Sequence, residues 1–153
     1  MENFHICFIS DAAGDAPPDG CRYGEIRIGP FRERFLSSLA FWDEAKYERQ
    51  WVAAASHIMT ADRAVMITSL TDPATSNFVR WWAMYRDGET IVFQEQICFL
   101  DELSEPFDAE APEKSMRHRQ TMSEEGQPIS EWSAPVSAVR VFARKGAEVE
   151  GDT

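Results

Sequence analysis

The sequence predicts an α+β fold: a mostly antiparallel sheet with two helices, both in the N-terminal half, packed on one of its faces. Three observations carry this. Short apolar runs of strand length occur near both ends and through the middle of the chain. Between residues 29 and 59, aromatic and aliphatic side chains recur at helical spacing instead. Two β-type runs, Phe78 to Arg86 and Glu89 to Leu100, flank Asp87-Gly88, a dipeptide suited to a tight hairpin turn.

Taken in order, Phe4 to Ile9 reads as a first strand and Asp11 to Gly20 as a loop punctuated by Gly14, Pro17, Pro18 and Gly20. Arg22 to Ile28 alternates as a strand does. Gly29-Pro30 then opens a first helix carrying Phe31, Phe35, Leu39 and Trp42, because proline is tolerated in a first helical turn. A second helix starts at Asp43, an effective N-cap, and its stripe of Tyr47, Trp51, Ala55 and Ile58 suits docking on a sheet. Ala64 to Leu70 is a buried strand, ended by Thr71-Asp72-Pro73.

In the hairpin that follows, a two-residue Asp87-Gly88 turn sets Arg86 opposite Glu89, Met84 opposite Ile91, Trp82 opposite Phe93 and Arg80 opposite Glu95. One face then holds Phe78, Trp82, Met84, Ile91, Phe93 and Ile97, with Arg80 and Glu95 among them; Trp81 and Trp82 point to opposite faces. Asp101 to Glu131 is a long, partly structured loop with one helical turn near Glu113 to Arg119. Val136 to Phe142 returns to strand character. The whole reads as a single domain over 1–153, with 1–3 and 146–153 frayed.

Composition narrows the function classes. Of 153 residues, 44% are hydrophobic and 12% aromatic, enough for a core and too much for a disordered chain. Fifteen Lys and Arg against 26 Asp and Glu leave a net charge of −11, which disfavours nucleic acid and anionic membranes as partners. Nine acidic residues against Lys114, Arg117 and Arg119 put −6 of that charge in residues 101–131. Three cysteines, Cys7, Cys21 and Cys98, cannot all pair within one chain. With no signal-peptide pattern at Met1-Glu2-Asn3-Phe4-His5, this suggests a cytoplasmic protein.

No catalytic or cofactor apparatus is legible. His5, His57 and His118 are scattered and fit no metal-ligand spacing, so no metal site is expected. Glycine-rich phosphate loops and a Gly-x-Ser-x-Gly elbow are absent, and no cofactor is expected. Cys98, within Ile97-Cys98-Phe99-Leu100, reads as a buried structural thiol and not as a nucleophile beside His118. Arg117-His118-Arg119 reads as ion-paired with its acidic surroundings. Trp132 reads as an anchor for the long loop or, less simply, as a partner contact.

Several phrases carry a family resemblance. They are Glu25-Ile26-x-Ile28-Gly29-x-Phe31-x-Glu33-x-Phe35 with Trp42 and Tyr47-Glu48-x-Gln50-Trp51; Ile67-Thr68-Ser69-x-x-Asp72-Pro73 with Asn77-Phe78 and Trp82; Tyr85-Arg86-Asp87-Gly88; Phe99-Leu100-Asp101-Glu102-Leu103-Ser104-Glu105-Pro106-Phe107; and Gly126-x-Pro128-Ile129-Ser130-Glu131-Trp132. In this order, over Glu25 to Trp132, the chain resembles immunity proteins of bacterial contact-dependent growth inhibition systems. The resemblance implies a cytoplasmic, non-enzymatic protein that binds and blocks the toxic C-terminal domain of a delivered effector. Such domains are often nucleases with basic substrate grooves, which an acidic partner would complement. It assigns no binding residues and no oligomeric state. On charge alone, Asp101, Glu102, Glu105, Asp108 and Glu110 are the candidate partner-binding residues, against a plain solvated loop. A rival reading, a small enzyme or small-molecule binder, needs a concave pocket near Arg80, Glu95 and His57. A third, an oligomerising scaffold, would show in solution size.

Overall fold

A computed structural model describes residues 3–10 and 16–151, with side chains as far as 147. Five strands fall close to the expected positions: β1 (Phe4–Phe8), β2 (Cys21–Ile28), β4 (Arg63–Ser69), β5 (Phe78–Asp87) and β6 (Thr90–Phe99). So does α1 (Glu44–His57), where the Asp43 carboxylate accepts the Lys46 N–H at 2.8 Å and caps the first turn. Part of the loop expected at Asp11 to Gly20, residues 11–15, lies outside the described residues.

Two elements differ. Gly29-Pro30 does not open a helix. It turns the β2–β3 hairpin, with Ile28 opposite Phe31 and β3 at Phe31–Ser38. Gly29 has φ +59°, as the first central residue of a type II′ turn requires, and proline's fixed φ suits the second. The four-residue spacing of Phe31, Phe35 and Leu39 fits a strand as well, because four is a multiple of the strand's period of two. The second correction is at the C-terminal end. Only Trp132–Pro135 is strand (β7), and Val136–Gly151 is helix (α2). Val136, Val139 and Ala143 are buried along one helical face while Val141 is exposed, so the apparent Val139/Val141 alternation is not a strand face. The segment read as a frayed tail continues α2 as far as Gly151. One helix, not two, therefore lies in the N-terminal half.

The strands form two antiparallel sheets, ordered β1-β2-β3 and β4-β5-β6-β7. In the β5–β6 hairpin the register is two residues from the expected one. Asp87 pairs with Thr90, Arg86 with Ile91, Met84 with Phe93, Trp82 with Glu95 and Arg80 with Ile97. The turn is Gly88-Glu89, with Gly88 at φ +61° and Glu89 not at positive φ. This type II′ arrangement spares Asp87 the left-handed conformation that an Asp87-Gly88 type I′ turn would impose. A shift of two keeps every side chain on its expected face.

The inward face of the first sheet meets one face of the second. Phe4 stacks on Phe93 at 5.1 Å, and Phe31 stacks on Trp132 at 4.0 Å beside Trp82. Trp132 is thus a half-buried anchor packed against the core. α1 covers the outer edge of β4, and α2 packs on α1 and β1, where Phe142 meets Phe4 edge-on at 5.4 Å. Trp81 and Trp82 do face opposite ways, and both are buried. Phe107, from the acidic loop, stacks against Trp81 at 6.3 Å. The loop's helical turn is a 3₁₀ turn at Pro112–Ser115, with another at Leu100–Glu102.

Candidate partner-binding surface

The second sheet has one face against the first sheet. Its other face is polar where the acidic loop crosses it. Trp81 Nε1 donates to Gln96 Oε1 at 2.9 Å, and Gln96 Nε2 donates to Tyr85 Oη at 3.1 Å and to Gln94 Oε1 at 3.0 Å. Gln94 Nε2 donates to Gln120 O at 2.8 Å and to Glu131 Oε2 at 2.7 Å, and Tyr85 Oη donates to Arg117 O at 3.1 Å. This row of strand side chains fixes an otherwise irregular segment.

Ion pairs complete the attachment. Arg119 grips Glu131 through two hydrogen bonds, Nε at 2.8 Å and Nη2 at 2.7 Å. That pairing holds the Glu131 carboxyl below its ordinary range. Arg117 reaches Glu102 at 3.2 Å. The basic cluster is therefore engaged by local carboxylates, as its surroundings suggest.

Between loop and sheet lies an open groove of about 1010 Å³. Glu102, Glu105 and Asp108 line it together with Glu95 and Glu124, against Lys114 and Arg117. All five residues singled out by charge are exposed. They do not form one patch. Asp101 lies outside the groove lining, and Glu110 lines a smaller concavity of about 330 Å³ between α1 and the Pro112–Ser115 turn, 3.5 Å from Lys46 Nζ. The pocket required by the small-molecule reading is not assembled. His57 lines the smaller concavity, Glu95 the larger, and Arg80 lies over the Phe78 ring, 5.5 Å from its centroid.

Two features escape a reading by charge. Phe78, Ile97 and Phe99 are 41%, 45% and 47% exposed at the end of the β5–β6 hairpin far from its turn. Glu33, on the inward face of β3 between Phe31 and Phe35, meets Glu95 of β6 across the seam of the two sheets. Burial first, and the neighbouring Glu95 carboxylate second, push its carboxyl up to about 7. A charged residue alternating with two phenylalanines was the available signal, hidden by the helical reading of this segment.

Burial raises the Cys7 and Cys98 thiols above their ordinary range, which disfavours the thiolate that nucleophilic chemistry needs. Among the described residues, no group of three or more His, Cys, Asp or Glu is placed to hold a metal ion. Among them, too, no helix is long and apolar enough to cross a membrane.

Comparison with known proteins agrees with the motif order. Residues 37–142 match the model of the CdiI N-terminal domain. The immunity protein CdiI of Enterobacter cloacae subsp. cloacae is 26% identical over 118 residues, covering 76% of this chain and 81% of that protein. The fold resembles a chain of the CdiA-CT/CdiI toxin and immunity complex from Enterobacter cloacae, with a TM-score of 0.84, 23% identity, and coverage of 95% of this chain and 99% of that one. The family match spans more than two thirds of the sequence, and this chain belongs to the CdiI N-terminal domain family of contact-dependent growth inhibition immunity proteins.

Proposed function

We propose that this chain binds the toxic C-terminal domain of a contact-dependent inhibition effector and neutralises it by occlusion, without chemistry of its own. The observation that carries the reading is the family match over residues 37–142. The relative named above is an immunity protein, and the fold is shared with a chain of a toxin and immunity complex. The chain acts as a single immunity domain in the cytoplasm, where a delivered toxin would meet it.

Its net charge of −11 suits a cationic target such as a nuclease surface, through steering and charge complementarity. Of the acidic loop residues, Glu102, Glu105 and Asp108 are the ones this reading assigns to the toxin; its support is that they line one groove, whereas Asp101 and Glu110 stand apart from it. The test is co-expression with the toxic domain of the cognate effector. Growth should be preserved, and the two proteins should co-purify. Continued killing, with no complex recovered, overturns the reading.

A further inference from the structure

β7 covers only the first part of the outer edge of β6. It pairs with Thr90 to Phe93 and stops there. Beyond Phe93 the strand continues to Phe99 with β5 on one side only.

The direction of the main-chain groups follows from the hairpin. A two-residue turn makes Asp87 and Thr90 a hydrogen-bonded pair, so even-numbered residues of β6 bond towards β5. Just past the strand, Leu100 N donates to Asn77 O at 2.9 Å on that same side. Odd-numbered residues point the other way; before the strand, Glu89 O accepts from Val136 N at 2.9 Å. The N–H and C=O of Glu95, Ile97 and Phe99 therefore face outward. Among the described residues, no hydrogen bond meets them.

Two other edges are protected. On β4, Gln50, Trp51 and Tyr47 occupy the outward groups. The outer edge of β3 carries Arg32 and Arg34. Glu95–Phe99 has no Lys, no Pro and no bulge, and its one charge, Glu95, sits at the start of the open stretch, leaving Ile97 to Phe99 unguarded.

We propose that a strand of the toxin domain pairs with this edge, Glu95 to Phe99, extending the second sheet; this rests on the immunity reading above. Strand alternation sets the chemistry of the occupant. Side chains on one side of the added strand lie beside Ile97 and Phe99, whose apolar surface Phe78 extends as the cross-strand partner of Phe99. Side chains on the other side enter the groove beside Glu102 and Glu105. The fitting segment alternates apolar and cationic residues. A second copy of this chain fits less well, because each copy carries −11 and brings its own Glu95 to the edge.

The test uses the full chain and the purified toxin domain. In amide hydrogen exchange, Glu95, Ile97 and Phe99 should gain protection on complex formation while Gln94, Gln96 and Cys98 change little. Ile97→Pro removes an outward N–H and no bond to β5, so the fold should persist. Its affinity for toxin should fall by about tenfold or more. Unaltered exchange at the three odd positions, or wild-type affinity in folded Ile97→Pro, overturns the edge and leaves immunity standing. Protection already present in the free protein and dependent on its concentration identifies a second copy as the occupant and also overturns it. A wild-type chain that fails to bind the toxin removes the immunity reading itself.

Discussion

Gln50 on α1 substitutes for a neighbouring strand at Ile67. Its Oε1 accepts the outward Ile67 N–H at 2.8 Å, and its Nε2 donates to Val65 O at 2.8 Å. One side chain thus satisfies a donor and an acceptor on the outer edge of β4, beside Trp51, whose Nε1 donates to Ile67 O at 2.7 Å. Gln50→Ala should lose about 1–3 kcal/mol. Urea denaturation should show a lower midpoint at an unchanged slope, since the area exposed on unfolding stays the same.

The approach of the two helices sets up an opposition at Gly146. A Cβ there would collide with Val52 Cγ2. Alanine in place of a helical glycine ordinarily stabilises by about 1 kcal/mol. A collision with a stiff β-branched side chain outweighs this, and Gly146→Ala should destabilise by about 1–3 kcal/mol. In a Val52→Ala background both methyl carbons are gone and only the Cβ, 3.2 Å away, still presses on the new methyl, so the cost of adding Gly146→Ala should fall sharply. A double-mutant cycle on melting temperatures reads this directly.

Glu33 makes stability depend on pH. Its folded pKa, about 7, lies above the ordinary 4.5, so the native state holds the proton more tightly than the unfolded chain does. The stabilisation is fully present below about 4.5 and declines as pH rises through 7. Glu33→Gln keeps the uncharged form at every pH. It should melt higher than wild type at pH 8 and converge with it near pH 4. Parallel melting curves across that window would refute the assignment.

The carboxylates divide into two sets with different expected effects on toxin binding. Reversing Glu102, Glu105 and Asp108 to lysine should slow association, and added salt should narrow the gap from wild type. Reversing Glu110, which lines the other concavity, should leave association nearly unchanged. Surface plasmon resonance at two ionic strengths separates the sets. Equal effects per charge reversed would mean that bulk charge, and not the groove, governs the encounter.

Much of this architecture is legible in the sequence. The Tyr47, Trp51, Ala55 and Ile58 stripe behind an Asp43 cap has one reading, and α1 follows it. The alternation on either side of Gly88 defines a hairpin and its two faces. Charge and motif order point to the family. The rest depended on contacts between distant segments. A spacing of four at Phe31 and Phe35 serves both helix and strand, and pairing with β2 decides between them. The hairpin register turns on which residue tolerates a positive φ. Val136 to Phe142 becomes helical because that geometry buries Val136 and Val139. Whether an edge is open, or a carboxylate such as Glu33 faces its like, is a property of assembled sheets. Neither the β6 edge nor the Glu33–Glu95 meeting exists in any local stretch of sequence, because each is made by elements that only packing brings together.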